Sequence, residues 1–183
     1  MAAENAGERL RELEPGARLE DVLELFDSLP PVRVEELVGT WRGNGIDTGN
    51  PFDGLLERFG WYGKRFGGAD DAHPLLFAAS GGRVVSINPA FMPVGLLLGI
   101  AGRLNNPVVA TLFRVLMPLM TTAEPRARLR MVEYRGVSSA AMVYDALPIH
   151  DPFRKVDEDT LLCAMDLRGM DEPFMFVLRR DAA

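Results

Sequence analysis

Residues 39–63 interleave glycine with large aromatic side chains: Gly39-Thr40-Trp41-Arg42-Gly43, then Gly60-Trp61-Tyr62-Gly63. This stretch holds both tryptophans and seven of the 18 glycines. A glycine beside a bulky ring lets the backbone pass close to a neighbour while the ring fills the adjacent volume. That neighbour is either another strand or a ligand, and the residues alone leave both open.

Residues 39–47 read as a strand, with Thr40, Arg42 and Asn44 alternating against Trp41, Gly43 and Gly45. The glycines suit the sharp bends and close strand crossings of a barrel. Asn50-Pro51 opens a short helix, with Asn50 as cap, Pro51 at the first helical position and Asp53 in the first turn. Leu55, Leu56 and Phe59 give it an apolar face, Gly60 ends it, and residues 61–66 are extended. Residues 75–79 and 83–87 flank Ser80-Gly81-Gly82, a hairpin signal. From residue 126 onward the pattern is antiparallel β: 126–135 and 137–145 meet at Gly136, 153–156 and 160–167 at Asp157-Glu158-Asp159, and 174–180 follows.

Two helical regions complete the reading. Residues 1–18 are charged and predicted to be a mobile tail, after which Leu19, Val22, Leu23, Phe26 and Leu29 share one helical face until Pro30-Pro31. The insert at about 89–120 resolves into two short helices, around 94–101 and 107–119. In the second, Val108, Leu112, Val115 and Leu119 are predicted to form a buried stripe, widened by Phe113, Met117 and Met120. The expected fold is therefore mainly β, one domain over 19–183, built as a single antiparallel barrel of about eight or nine strands that hides its edges. The N-terminal helix flanks the barrel and the insert forms a lid.

Composition excludes several functions. At 183 residues, a net charge of −6 and a pI near 5.0, the chain lacks the basic face that phosphate neutralisation requires, so no nucleic-acid partner is expected. Cys163 is the lone cysteine, which rules out an internal disulfide and fits a reducing cytoplasm. Residues 1–20 have no apolar segment of signal-peptide type. The apolar run 90–102 is shorter than the ~20 residues of a membrane span.

Candidate chemistry is sparse. Gly43-Asn44-Gly45 lacks the third glycine and the long helix of a dinucleotide site. No G-x-S-x-G elbow occurs, and Cys163 lies in the apolar run Leu161-Leu162-Cys163-Ala164-Met165, where a thiol packs inertly. His73 and His150 have no partner at metal-ligand spacing. His150 sits in the polar cluster 144–151, where Asp145 could orient an imidazole or the aspartates could cap turns. Strand 137–145 carries Ser138, Ala140, Met142 and Tyr144 on one face, so small side chains leave space beside it for rings or for a ligand.

Gly39-Thr40-Trp41-Arg42-Gly43, Gly60-Trp61-Tyr62-Gly63-Lys64 and His73-Pro74-Leu75-Leu76-Phe77 resemble the GXWXG proteins, in which a segment of that name (here about 25–88) precedes a C-terminal domain of unknown function (here about 126–180). The second half is similar too, in residues 128–136, 141–145 and 156–160. At fold level the G-x-W strand resembles the calycins, including lipocalins, and Gly39, Trp41, Gly43 and Gly45 match the G-x-W-x-G-x-G of the haem-binding nitrobindins. There a histidine late in the chain ligates iron, whereas here no histidine follows Asp151 and His150 would have to substitute. The expected function is that of a barrel carrying a small hydrophobic ligand, lipid or fatty-acid-like, in the space beside strand 137–145, without catalysis and without a cofactor. Gly39, Trp41 and Gly43 would close the barrel. Trp61, Tyr62, Met142, Tyr144 and Asp145 would bound the ligand site, with Lys64, Arg65 or His73 meeting a polar headgroup, and residues 89–120 would touch membranes during exchange. The alternatives are an enzyme using His73 or His150 with Asp145, and haem binding.

Overall fold

A computed structural model describes residues 2–92 and 107–181. Nine strands among these residues form one antiparallel sheet: β1 (Gly39–Gly45), β2 (Trp61–Gly68), β3 (Asp71–Ala78), β4 (Val84–Ser86), β5 (Ala127–Tyr134), β6 (Val137–Tyr144), β7 (Ile149–Lys155), β8 (Thr160–Leu167) and β9 (Phe174–Arg180). Their order is β2-β1-β9-β8-β7-β6-β5-β3-β4, and an additional β2–β3 pairing closes the first eight positions into a ring. All nine stretches read as strands are strands, and the ring is the lipocalin-type closure expected.

The ring is weakest between β3 and β5, which share the single ladder pair Ala72↔Ala127. Beyond that point β3 pairs with β4 instead. The chain leaves and re-enters the insert through an antiparallel neck, the bridge Ile87↔Thr121, with Asn88 N donating to Met120 O and Thr122 N donating to Ser86 O, each at 2.9 Å.

Strands β8 and β9 show why the C-terminal half reads as nearly continuous apolar sequence. Leu161, Cys163, Phe174, Phe176 and Leu178 face the barrel interior, whereas Leu162, Ala164, Met175 and Val177 face outward into a second cluster. Helices α1 (Ala2–Leu13) and α2 (Leu19–Ser28) cover that outer face. Residues 2–13 are thus not the mobile tail predicted for 1–18. Leu10 and Leu13 are buried against the sheet, and Glu14 holds Arg179 through two contacts of 2.6 and 2.7 Å. The sequence signal was missed because two apolar side chains on a charged helix give only a narrow stripe.

One end of the barrel is filled. Trp41 is buried, its Nε1 donates to Leu37 O at 2.7 Å, and the Arg180 guanidinium lies 4.2 Å above its ring. The 3-10 turn Val34–Leu37 covers this end. At the other end sit α3 (Leu55–Phe59) and α4 (Pro107–Met120). Phe113 of α4 packs its ring 4.9 Å from Phe59 and 5.2 Å from Phe77. The α4 stripe is the reverse of the one predicted: Met117 is buried, while Leu112, Val115 and Leu119 are exposed. The side chain of Val108 and the expected helix around 94–101 lie outside the described residues. Among the described residues no helix is long and apolar enough to cross a membrane.

Candidate functional site

The glycines of the GxWxG stretch determine what enters the barrel. A Cβ on Gly43 would stand 2.2 Å from the Trp61 ring, so this glycine makes room for the indole. A Cβ on Gly63 would stand 1.9 Å from Trp41 O, and Gly63 has a φ of +146°. The neighbour that these glycines accommodate is therefore both a ring and a strand. The β2–β3 ladder slips between Trp61 and Gly63 and again between Gly63 and Arg65. This bulge lets Tyr62 and Gly63 occupy one outward position, so Trp61, Lys64 and Phe66 all turn inward while Arg65 turns out. Strict alternation would have sent Lys64 to the outer surface.

Lys64 lies at the wall of a cavity of about 240 Å³ between the filled barrel base and the α3–α4 cover. Among the described residues its lining is apolar except at one place: Leu55, Phe59, Trp61, Leu75, Phe113, Ile149, Met165, Phe174 and Phe176 surround the polar trio Lys64, Tyr144 and Asp151. Lys64 Nζ lies 2.8 Å from Asp151 Oδ2, with side chains 3% and 1% exposed. It also donates to Pro74 O at 3.2 Å and to Tyr144 Oη at 3.4 Å. The ammonium sits 5.7, 5.6 and 5.2 Å from the ring centres of Trp61, Tyr144 and Phe176, within cation–π range. Lys64 and Tyr144 are thus the two groups that face the Asp151 carboxylate, and both act on it as hydrogen-bond donors as well as through charge.

Burial pushes the Asp151 carboxyl above its ordinary 3.8 against the opposing pull of Lys64. Burial also raises the Tyr144 phenol well above 10.0, so it stays neutral and able to donate. The Cys163 thiol is likewise pushed well above 9.0 by burial, which makes it the inert packing group its strand suggested.

Of the site residues read from the sequence, Trp61, Lys64 and Tyr144 line the cavity. Met142 is fully buried in the core cluster, packing the interior without facing the cavity. Tyr62 and Arg65 lie on the outer side of β2, where Tyr62 Oη hydrogen-bonds Asp181 and Arg42 stacks 4.9 Å from its ring. Arg65 Nη2 meets His73 Nε2 at 2.8 Å, and His73 Nδ1 meets Ser86 Oγ at 3.1 Å. His73 is therefore buried but fully engaged away from the cavity. Asp145 is exposed and paired with Arg128 at 2.8 Å, and His150 is exposed on β7. Neither histidine nor Asp145 lines the cavity, and among the described residues no group of three or more potential ligands could hold a metal.

The residue missed was Asp151. It falls in the polar cluster 144–151, and the strand is predicted only from Phe153, yet β7 begins at Ile149 and Pro152 sits in the β6–β7 ladder opposite Ala141. A proline cannot donate to a ladder, which is why the stretch reads as broken. The available signal was the alternation Ile149-His150-Asp151, which places Asp151 on the face of Ile149 and His150 opposite.

Comparison with known proteins agrees with this architecture. The GXWXG protein profile matches residues 24–82, and the profile of a domain of unknown function (DUF4334) matches residues 125–180. A crystal structure of a protein from Thermomonospora curvata is similar at 32% sequence identity, covering 99% of each chain with a TM-score of 0.72. No curated protein matches. Both profiles fall in the expected order, one on the strands that carry the glycine–tryptophan motif and one on strands β5–β9, and the chain belongs to the GXWXG family.

Proposed function

We propose that this protein binds a small, largely apolar molecule in its barrel cavity, with the polar end of the ligand at Lys64, Tyr144 and Asp151. The observation that carries this reading is the lining: an apolar pocket with one convergent polar cluster, the usual form of a small-molecule site. The cavity of about 240 Å³ lies just below the roughly 300–1,000 Å³ of drug-sized ligand sites, which favours a compact molecule over a long-chain fatty acid. A carboxylate headgroup would compete with Asp151 for Lys64, whereas a hydroxyl or carbonyl could accept from Lys64 or Tyr144, and a hydroxyl could also donate to the Asp151 carboxylate.

Phe91, Leu112 and Leu116 line the cavity and are also 57%, 56% and 42% exposed, which marks the side where it reaches the surface. Exchange at an apolar surface such as a membrane, through the 89–120 insert, is part of this reading. So is a cytoplasmic location, which the lone buried Cys163 supports.

The test is native mass spectrometry of the purified full chain, together with displacement of the neutral fluorophore N-phenyl-1-naphthylamine by octan-1-ol. Saturable, competitive displacement and a co-purifying small molecule are the expected results. A protein that carries nothing and binds neither compound would end the proposal.

A further inference from the structure

We propose that Lys64 is a nucleophile that captures a small apolar aldehyde or ketone as a protonated imine, with Asp151 as the group that moves the protons. This inference rests on the cavity being a ligand site and adds the chemical class of the ligand.

The first support is the choice of residue. Of the 20 basic residues in this chain, 18 are arginine, and the only other lysine is the half-exposed Lys155. An arginine makes a better fixed ion pair with a carboxylate, because its planar fork engages both oxygens and loses less entropy doing so. A lysine offers what an arginine cannot: an amine that becomes a nucleophile on losing one proton. In a chain where 18 of 20 basic residues are arginine, a lysine stands at the one basic position among the described residues that line the cavity.

The second support is its placement. A buried ion pair is a poor stabilising device, since desolvation offsets much of the attraction. This pair lies inside an apolar cavity, with the amine, a carboxylate and a neutral phenol in one cluster.

The step balances without any further reactant. Lys64 passes a proton to Asp151 across their 2.8 Å contact, leaving a neutral amine and a carboxylic acid. The amine lone pair attacks the carbonyl carbon to form the C–N bond, and Asp151 returns the proton to the carbonyl oxygen. Asp151 then takes a second proton from nitrogen and gives it to the hydroxyl, which leaves as water. The product is a C=N bond with one proton on nitrogen, paired with the Asp151 carboxylate. Overall, one ammonium and one carbonyl become one protonated imine and one water. Tyr144 Oη, 3.4 Å from Nζ, is placed to donate to the carbonyl oxygen as it gains charge.

The experiment is reductive trapping on the full wild-type chain: octanal with sodium cyanoborohydride, followed by peptide mass mapping. Octyl modification of Lys64 should run about tenfold or more faster than that of Lys155. Excess octan-1-ol should suppress labelling at Lys64 and leave Lys155 unchanged. Asp151→Asn should slow trapping at Lys64 by about 100-fold in protein that keeps a cooperative unfolding transition, with Lys155 labelled at an unchanged rate. Trapping at Lys64 no faster than at Lys155, in protein that binds the fluorophore and releases it to octan-1-ol, would overturn the imine and leave the ligand site standing. Absence of both trapping and fluorophore binding would remove the ligand site as well.

Discussion

Gly63 is the residue on which the interior chemistry depends. Its φ of +146° and the 1.9 Å approach of a hypothetical Cβ to Trp41 O leave no room for a side chain, and the obstacle is backbone that cannot swing aside. Gly63→Ala should therefore cost roughly 3 kcal/mol or more and abolish the inward turn of Lys64. Gly43→Ala meets only the Trp61 ring, which can shift, and should cost about 1–3 kcal/mol. Urea unfolding of the two variants gives the comparison, and a Gly63→Ala protein as stable as the parent would contradict the bulge argument. Lys64 and Asp151 carry a different signature. Lys64→Met alone strands a buried carboxylate and should lose about 3–5 kcal/mol, whereas Lys64→Met with Asp151→Leu should recover most of it. His73 sets an acid limb of stability. Burial and the neighbouring Arg65 lower its pKa below the ordinary 6.5, with Asp71 opposing. Its contribution is fully present above 6.5, where folded and unfolded imidazole are both neutral, and is lost as pH falls from there through the folded value. Stability measured between pH 7 and 5 should decline, and His73→Gln should flatten that decline.

At the scale of elements, α4 shows how a helix can be recognised correctly and faced wrongly. Its composition is apolar nearly all round, so the spacing Leu112–Val115–Leu119 is as regular as the spacing Phe113–Met117–Met120. What decides between them is the aromatic pocket offered by Phe59 and Phe77, which takes Phe113 and rotates the rest of the helix accordingly. Met117→Lys should then unseat the helix, because it buries a charge with no described partner, while Leu119→Lys should change stability by less than about 0.5 kcal/mol. Cosedimentation with phosphatidylcholine vesicles separates the two consequences. Leu119→Lys should lower vesicle association without altering the unfolding midpoint, and unchanged association would count against exchange at a membrane. The same logic applies to β7, where a proline inside a ladder hid the strand that delivers Asp151.

For the whole molecule, a great deal was written in local pattern. Residue pattern marked at least part of each of the nine strands, glycines marked the turns at Gly60, Gly81 and Gly136, and the tryptophan motif marked the filled end of the barrel. These features are local because side-chain period, turn dihedrals and ring volume act over a few residues. The polar centre of the cavity was only half legible. Lys64, Trp61 and Tyr144 stood among the residues singled out, but together with Tyr62, Arg65, His73, Met142 and Asp145, which the fold turns away from the cavity. In a strand, one slipped residue exchanges the two faces, and whether a strand slips depends on the partner it pairs with. The slip at Gly63 follows from the carbonyl of Trp41 on β1, and the register of Asp151 follows from Met142 on β6. The amino-acid sequence by itself thus determined the strands, the turns and the plugged end. Tertiary pairing alone decided that a lysine and an aspartate from opposite halves of the chain meet in an apolar cavity.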